Sequence, residues 1–209
     1  PAMAGETVFE PGIGAGAAAL CLARRIEGIR VVGIELQPDL VRLAEQNAHL
    51  NSLGDRFNVV VGDIAPPPFR IEPAGFAHAM MNPPHLVAQH ARVSPLRRRA
   101  LANTEGASSL AIWLDAGLRV LARHGTLTLI HRADRLDEIL ALLHGRAGDI
   151  VVFPLWPGPG IKPAKRVIVR ARKETRAPLR LAPGLVLHTE DGAFTAQANA
   201  VLRGAALKI

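Results

Sequence analysis

The chain carries one cysteine and no tyrosine. A single thiol, Cys21, excludes an internal disulfide and a metal site made of cysteine alone. Cys21 stands among alanines and leucines, which predicts a buried core thiol rather than a nucleophile. The absence of a disulfide framework fits a reducing, cytoplasmic setting. Aromatic residues make up only 4% of the chain, so the sequence offers no broad platform for stacking nucleic-acid bases. No apolar run approaches the roughly 20 residues that a helix needs to cross a bilayer. The longest, residues 17–23, fits a packed helix, and no signal peptide is visible. His124, His131, His144 and His188 are scattered without a ligand spacing such as H-E-x-x-H, so no catalytic metal is expected.

What remains is a chain of 209 residues, 49% apolar, long enough for one well-packed domain. Its net charge of +7 favours a polyanionic partner such as nucleic acid. Arginine greatly outnumbers lysine, and a general arginine bias would produce part of the same excess.

Apolar runs and turn signals alternate strand with helix. Strands are predicted over residues 7–10, 30–35, 57–62, 76–81, 126–131, 149–155 and 166–171. Helices are predicted over 15–25, from Pro38 to about 50, and over 108–121 and 136–144. Proline is well placed in the first turn of the second helix, whose apolar stripe is read as Leu40, Leu43, Ala44 and Ala48. Residues 88–107 read as a polar, basic loop or lid. The connection WPGPGIKPAK is too short for a crossover helix, so the last two long strands should be antiparallel. The expected class is α/β: a doubly wound, mostly parallel sheet closed by a C-terminal antiparallel hairpin. One domain is expected, with a core over 1–177 and a terminal embellishment over 178–209. Trp113 reads as core, and Trp156 as a cap on the hairpin.

Four features fall at the carboxyl ends of successive strands, where open α/β sheets bind ligands. The first is the turn Glu10-Pro11-Gly12-Ile13-Gly14-Ala15-Gly16. Its alternating glycines allow a tight turn and close approach of a ligand to the backbone. The second is Glu35, followed by Leu36, about 20 residues beyond the glycines, where nucleotide-binding folds place a carboxylate against ribose hydroxyls. The third is Asp63 with Ile64, a carboxylate that can accept from an adenine amine, or a simple turn cap. The fourth is Asn82-Pro83-Pro84-His85. Two prolines fix φ twice and remove two amide donors, leaving acceptors that suit a planar amino group.

Together these motifs resemble the Rossmann-like S-adenosylmethionine-dependent methyltransferases that act on amino groups. The resemblance implies that Glu10, Gly12, Gly14 and Gly16 wrap the methionine end of the cofactor. It implies that Glu35 and Leu36 hold the ribose, and that Asp63 and Ile64 flank the adenine. Asn82, Pro83 and Pro84 would form the catalytic corner, Asn82 also bordering the cofactor. His85 stands where that family carries an aromatic ring that stacks on the target base. An exocyclic amine is a poor nucleophile because its lone pair is delocalised. Acceptors on both N–H groups orient it and draw the nitrogen toward tetrahedral geometry, so the contribution is positioning and electrostatics.

More narrowly, the chain resembles the tRNA(Val) adenine-N6 methyltransferases. That likeness extends through HGTLTLIHRADRLDEIL, the PLWP…KPAKRVIVRARK hairpin and the tail LVLHTEDGAFTAQANAVLRG. It implies a tRNA substrate, and an N-terminal family segment that is expected to be absent here. Arg92, Arg97, Arg98 and Arg99, with Lys162, Lys165, Arg166 and their neighbours on the last hairpin, are the expected phosphate contacts. Competing readings are a protein glutamine N-methyltransferase, an rRNA base amino-group methyltransferase, a small-molecule O-methyltransferase, and an inactive cofactor-binding RNA protein.

Overall fold

The computed structural model describes residues 2–64, 75–84, 86–87, 104–105, 109–160, 162–207 and 209. They divide into two compact units, Pro1–Gly125 and Thr126–Ile209.

The first unit runs β1 (Thr7–Pro11), α1 (Ala17–Arg25), β2 (Arg30–Glu35), α2 (Pro38–Leu50), β3 (Phe57–Val61), β4 (Phe76–Met81), β5 (Leu86–Val87), β6 (Thr104–Glu105) and α3 (Leu110–Val120). Strand β1 lies parallel between β2 and β4, and β3 lies parallel on the far side of β2. Parallel strands covered on both faces read as continuous apolar runs, as TVFEP and RVVGIE do. Val8 and Val31 point to the face covered by α1 and α2, where Ala19, Ala23, Val41, Ala44 and Ala48 meet them. Phe9 points the other way, and its ring meets Phe76 at 5.5 Å. Helix α3 packs against β4 and β1. Its Leu110 and Leu114 are fully buried, and truncating Leu114 to Ala would cost about 2–5 kcal/mol. Strands β5 and β6 form a separate parallel pair. Of the predicted lid, residues 88–103 and 106–107 lie outside the described residues.

Two expectations fail in this unit. Cys21 is exposed, because its turn of α1 faces away from the sheet while Ala19 and Ala23 face it. In α2 Ala44 and Ala48 are buried as expected, but Val41 is the third buried position, while Leu40 is half-buried and Leu43 is 41% exposed. The stripe falls on 41, 44 and 48, a spacing of three and four that holds one helical face. Leu43 lies roughly on the opposite side of the helix from that face.

The second unit begins inside β7 (Leu121–Arg132), which starts five residues earlier than predicted, directly after α3. It continues with α4 (Leu136–Leu143), β8 (Ala147–Trp156), β9 (Arg166–Lys173), β10 (Arg180–Leu181), β11 (Leu185–Val186) and α5 (Ala196–Leu202). Strand β9 lies antiparallel between β7 and β8, with Ile168 opposite both Ile130 and Phe153. The expected antiparallel pair is therefore present. A register shift between Gly148 and Val151, with Asp149 at φ 46°, bends β8. The short strands β10 and β11 add in parallel to β8. The tail contributes to this unit's core: Leu185 and Ala198 pack with Phe153 and Leu155, beside Leu207 and Ile209. Trp156, expected to cap the hairpin, ties β8 to the tail, its indole N–H donating to the Pro183 carbonyl at 2.9 Å.

Candidate active site

Strand β1 leaves the sheet at Pro11, and the next three glycines carry the turn. Gly12, Gly14 and Gly16 have φ of 63°, 56° and 84°, the left-handed region that costs other residues dearly. The amides of Gly12 and Ile13 both donate to the Ile34 carbonyl, at 2.8 and 3.1 Å. The turn is gripped on two sides. A Cβ on Gly12 would stand 2.3 Å from the Trp113 ring, and a Cβ on Gly33 would stand 2.5 Å from Ile13. Asn47 of α2 donates to the Ala15 carbonyl at 3.0 Å. Gly14 alone of this set faces open space.

The Glu35 carboxylate is buried at the end of β2 and fastens the turn from beneath. Its Oε2 accepts the Gly14 N–H at 3.0 Å, and its Oε1 accepts the Gln37 N–H at 3.0 Å. Each oxygen keeps lone-pair capacity for a ligand hydroxyl. Glu10 is buried on β1. Burial pushes its carboxyl up to about 8, against the opposing hydrogen bond from the Ala19 backbone. One oxygen, Oε2, is buried without a hydrogen-bond partner among the described residues. A turn with one open glycine, a carboxylate with spare acceptors and an orphaned buried oxygen suit a polar ligand laid along this edge.

The register aligns the remaining pieces. Glu35 pairs with Val61, and the Gly62 amide donates to the Glu35 carbonyl at 3.0 Å. Asp63 is exposed just beyond, Ile64 is buried, and Leu36 is 62% exposed. One acceptor beside an apolar side chain suits the edge and face of a planar ring. Strand β4 pairs Phe9 with Ala79, so continuing the parallel register sets Met81 level with Pro11. Asn82 therefore leaves the sheet at the same edge as Gly12. Asn82 is exposed, Pro83 buried and Pro84 half-buried. His85, Arg92, Arg97, Arg98 and Arg99 lie outside the described residues. Lys162, Lys165 and Arg166 are exposed in the second unit.

The structure thus brings Glu10, Gly12, Gly14, Gly16, Glu35, Leu36, Asp63, Ile64 and Asn82 to one sheet edge. Sequence reasoning missed Trp113, Gly33 and Asn47 as supports of the turn. Gly33 carried a usable signal, because a glycine inside an apolar strand often marks close approach of another segment. Among the described residues no group of three or more His, Cys, Asp and Glu side chains could hold a metal ion. No helix among them is long and apolar enough to cross a membrane.

Residues 8–103 match the methyltransferase domain family. The tRNA1(Val) (adenine(37)-N6)-methyltransferase of Tolumonas auensis is 27% identical over 143 residues, which are 68% of this chain and 58% of that protein. The enzyme of the same name from Porphyromonas gingivalis is 33% identical over 131 residues, 61% of this chain and 50% of its own length. The release factor glutamine methyltransferase of Aliivibrio fischeri is 27% identical over 150 residues, 64% of this chain and 48% of that one. The chain thus spans about half the length of the curated relatives it matches. Among solved structures, a predicted O-methyltransferase from Agrobacterium tumefaciens superposes with a TM-score of 0.80 at 24% identity. That match covers 98% of this chain and 91% of the other, and establishes the Rossmann-like fold. Residues 8–103 therefore form a methyltransferase domain, and the resemblance of the chain to the tRNA(Val) adenine-N6 methyltransferases is borne out by its relatives.

Proposed function

We propose that this chain methylates the exocyclic amine of an adenine in tRNA, in the anticodon-loop region, with S-adenosylmethionine as donor. One observation carries the reading: the strand register that sets Asn82-Pro83-Pro84 at the same sheet edge as the glycine turn and Glu35. The names of the Tolumonas and Porphyromonas relatives support the substrate class. When bound, the donor supplies an electrophilic methyl group on a sulfonium.

The chain's own residues do the rest. Glu35 accepts ribose hydroxyls with the lone pairs left over from Gly14 and Gln37. The Gly12–Gly16 backbone lies along the amino-acid end, and Glu10, mostly protonated at neutral pH, offers its unpartnered oxygen nearby. Asp63 accepts from the cofactor's adenine amine, and Ile64 supplies an apolar wall. The Asn82 side-chain oxygen and the Pro83 carbonyl accept the two N–H groups of the substrate amine and orient its lone pair. Because the amine is already neutral, no strong base is needed before transfer.

A second reading has its own support. A glutamine side-chain amide also presents an NH2 group to Asn-Pro-Pro, and the Aliivibrio relative is a release factor glutamine methyltransferase. The exposed cations of the last hairpin favour RNA. Incubation with radiolabelled S-adenosylmethionine and either bulk tRNA or a release-factor protein separates the two. Label on N6-methyladenosine is expected; label on protein amide alone overturns the RNA reading.

A further inference from the structure

The second unit holds a cleft outside the methyl-transfer edge. It has a volume of about 580 Å3 and is lined by Pro157, Gly158, Lys162, His188, Glu190 and Gly192, among others. Its floor comes from the Pro/Gly connection after β8, and its rim from the tail turn. Low aromatic content argued against a base-stacking platform, yet His188, which lines the cleft, carries a second ring stacked on it from six residues on. The rings of His188 and Phe194 stack at 4.7 Å with 28° between their planes. Phe194 is 52% exposed, so part of its ring is open to a ligand.

The platform is rigid before any ligand arrives. Thr189 N–H donates to the Ala193 carbonyl at 2.9 Å, and the backbones of His188 and Phe194 bridge. The His188 Nδ1 lies 3.2 Å from the Gly192 carbonyl. Asp191 accepts from the Thr189 hydroxyl and from the Ala193 amide, and these bonds hold its carboxyl below the usual range. Thr195 closes the turn by donating to the Val186 carbonyl at 2.7 Å, and caps α5 by accepting from Ala198.

Lys162 lines the same cleft as His188, and Lys165 and Arg166 follow it at the start of β9. Arg166 faces Arg132 directly across the β7–β9 ladder, an opposition of like charges that disfavours the sheet. Arg132 is relieved by an ion pair with Asp134. Among the described residues Arg166, Lys165 and Lys162 make no ion pair, and all three are exposed. Exposed cations and an exposed ring stacked on a half-buried one are the two parts of a single-strand binding site: charge for the backbone, a ring face for the base.

We infer that the tail turn and the hairpin end form an auxiliary RNA subsite, in which an unpaired base stacks on Phe194 and His188 while its phosphates meet Lys162, Lys165 and Arg166. The inference rests on the reading of the substrate as an RNA. Glu190, the acidic member of the cleft, can accept from a base amine and would disfavour phosphate on its own side.

The test is equilibrium binding of fluorescein-labelled bulk tRNA to the whole chain by anisotropy, without methyl donor, over a range of salt. Phe194→Ala should weaken binding by about fivefold to a hundredfold at every salt concentration. Phe194→Leu, which keeps apolar area but removes the ring, should weaken it similarly, and Phe194→Trp should restore it. Lys162→Ala should instead flatten the salt dependence by about one phosphate contact. Binding within twofold of wild type for Phe194→Ala or Phe194→Leu overturns the subsite. The methylation reading fails separately: label confined to protein amide, with tRNA binding still dependent on Phe194, would leave the subsite standing.

Discussion

The two units present polar groups in opposite ways. In the first, Glu10 and Glu35 are buried, and Glu35 is clamped by backbone amides of a turn built on three left-handed glycines. In the second, Lys162, Lys165 and Arg166 are exposed on the end of an antiparallel hairpin, without an ion pair among the described residues. Groups of the first kind depend on geometry, and a change of an ångström is felt. Groups of the second kind act as a field, and each contributes a small, screened share. The contrast predicts that single substitutions will be severe at the sheet edge and mild on the hairpin.

Asn82→Ala should give the largest effect. Asn82 is exposed, so its loss leaves the fold intact while removing one of two acceptors for the amine. Methyl transfer should fall by about 100- to 1,000-fold, with donor affinity within about twofold of wild type. Transfer near the wild-type rate would break the contrast at its strongest point.

Glu10 should show its burial as pH dependence. Its carboxyl is raised from an ordinary value of 4.5 to about 8. Between those values the unfolded chain has lost a proton that the folded chain keeps. Stability should therefore fall as pH rises from about 4.5 to about 8, then level off. The loss is on the order of 5 kcal/mol. Glu10→Gln should abolish this decline, read as urea midpoints across that range without donor. An equal slope in both proteins would mean that Glu10 is ionised in the fold.

Glu35→Ala should come next. It strips the acceptor from the Gly14 and Gln37 amides, a cost of about 1–3 kcal/mol. Donor affinity measured by calorimetry should drop by roughly tenfold or more. Unchanged affinity would remove Glu35 from the ligand site.

The same contrast governs what could be read from the chain in advance. Strand and helix order was legible because apolar runs alternate with turn residues. The antiparallel pairing of β8 with β9 followed from a connection too short for a helix. The edge residues were legible because turn chemistry is local: alternating glycines, a proline pair, a carboxylate ending a strand. Supports that join distant parts of the chain were not legible. Trp113 under Gly12 and Ile13 against Gly33 are contacts of the folded state, with no local pattern to announce them. The Leu43 error had a different source, since Leu43 and Val41 are equally apolar and only the sheet decides which one turns inward. The His188–Phe194 stack is local in sequence and was hidden for another reason: a small aromatic fraction says nothing about where two rings meet.

Arg166→Ala is the mild extreme. Arg166 is exposed and already opposes Arg132 across the ladder, so its removal should leave stability unchanged or slightly raised, within about 0.5 kcal/mol. Affinity for tRNA should fall by no more than about tenfold at moderate salt, with the slope of log affinity against log salt reduced by about one. Methyl transfer at saturating tRNA should be unaffected, because a screened charge on the hairpin acts on binding and not on the orientation of the amine. A fall in the saturated rate comparable to that of Asn82→Ala would show that Arg166 acts through geometry, and would place it with the sheet edge rather than with the hairpin field.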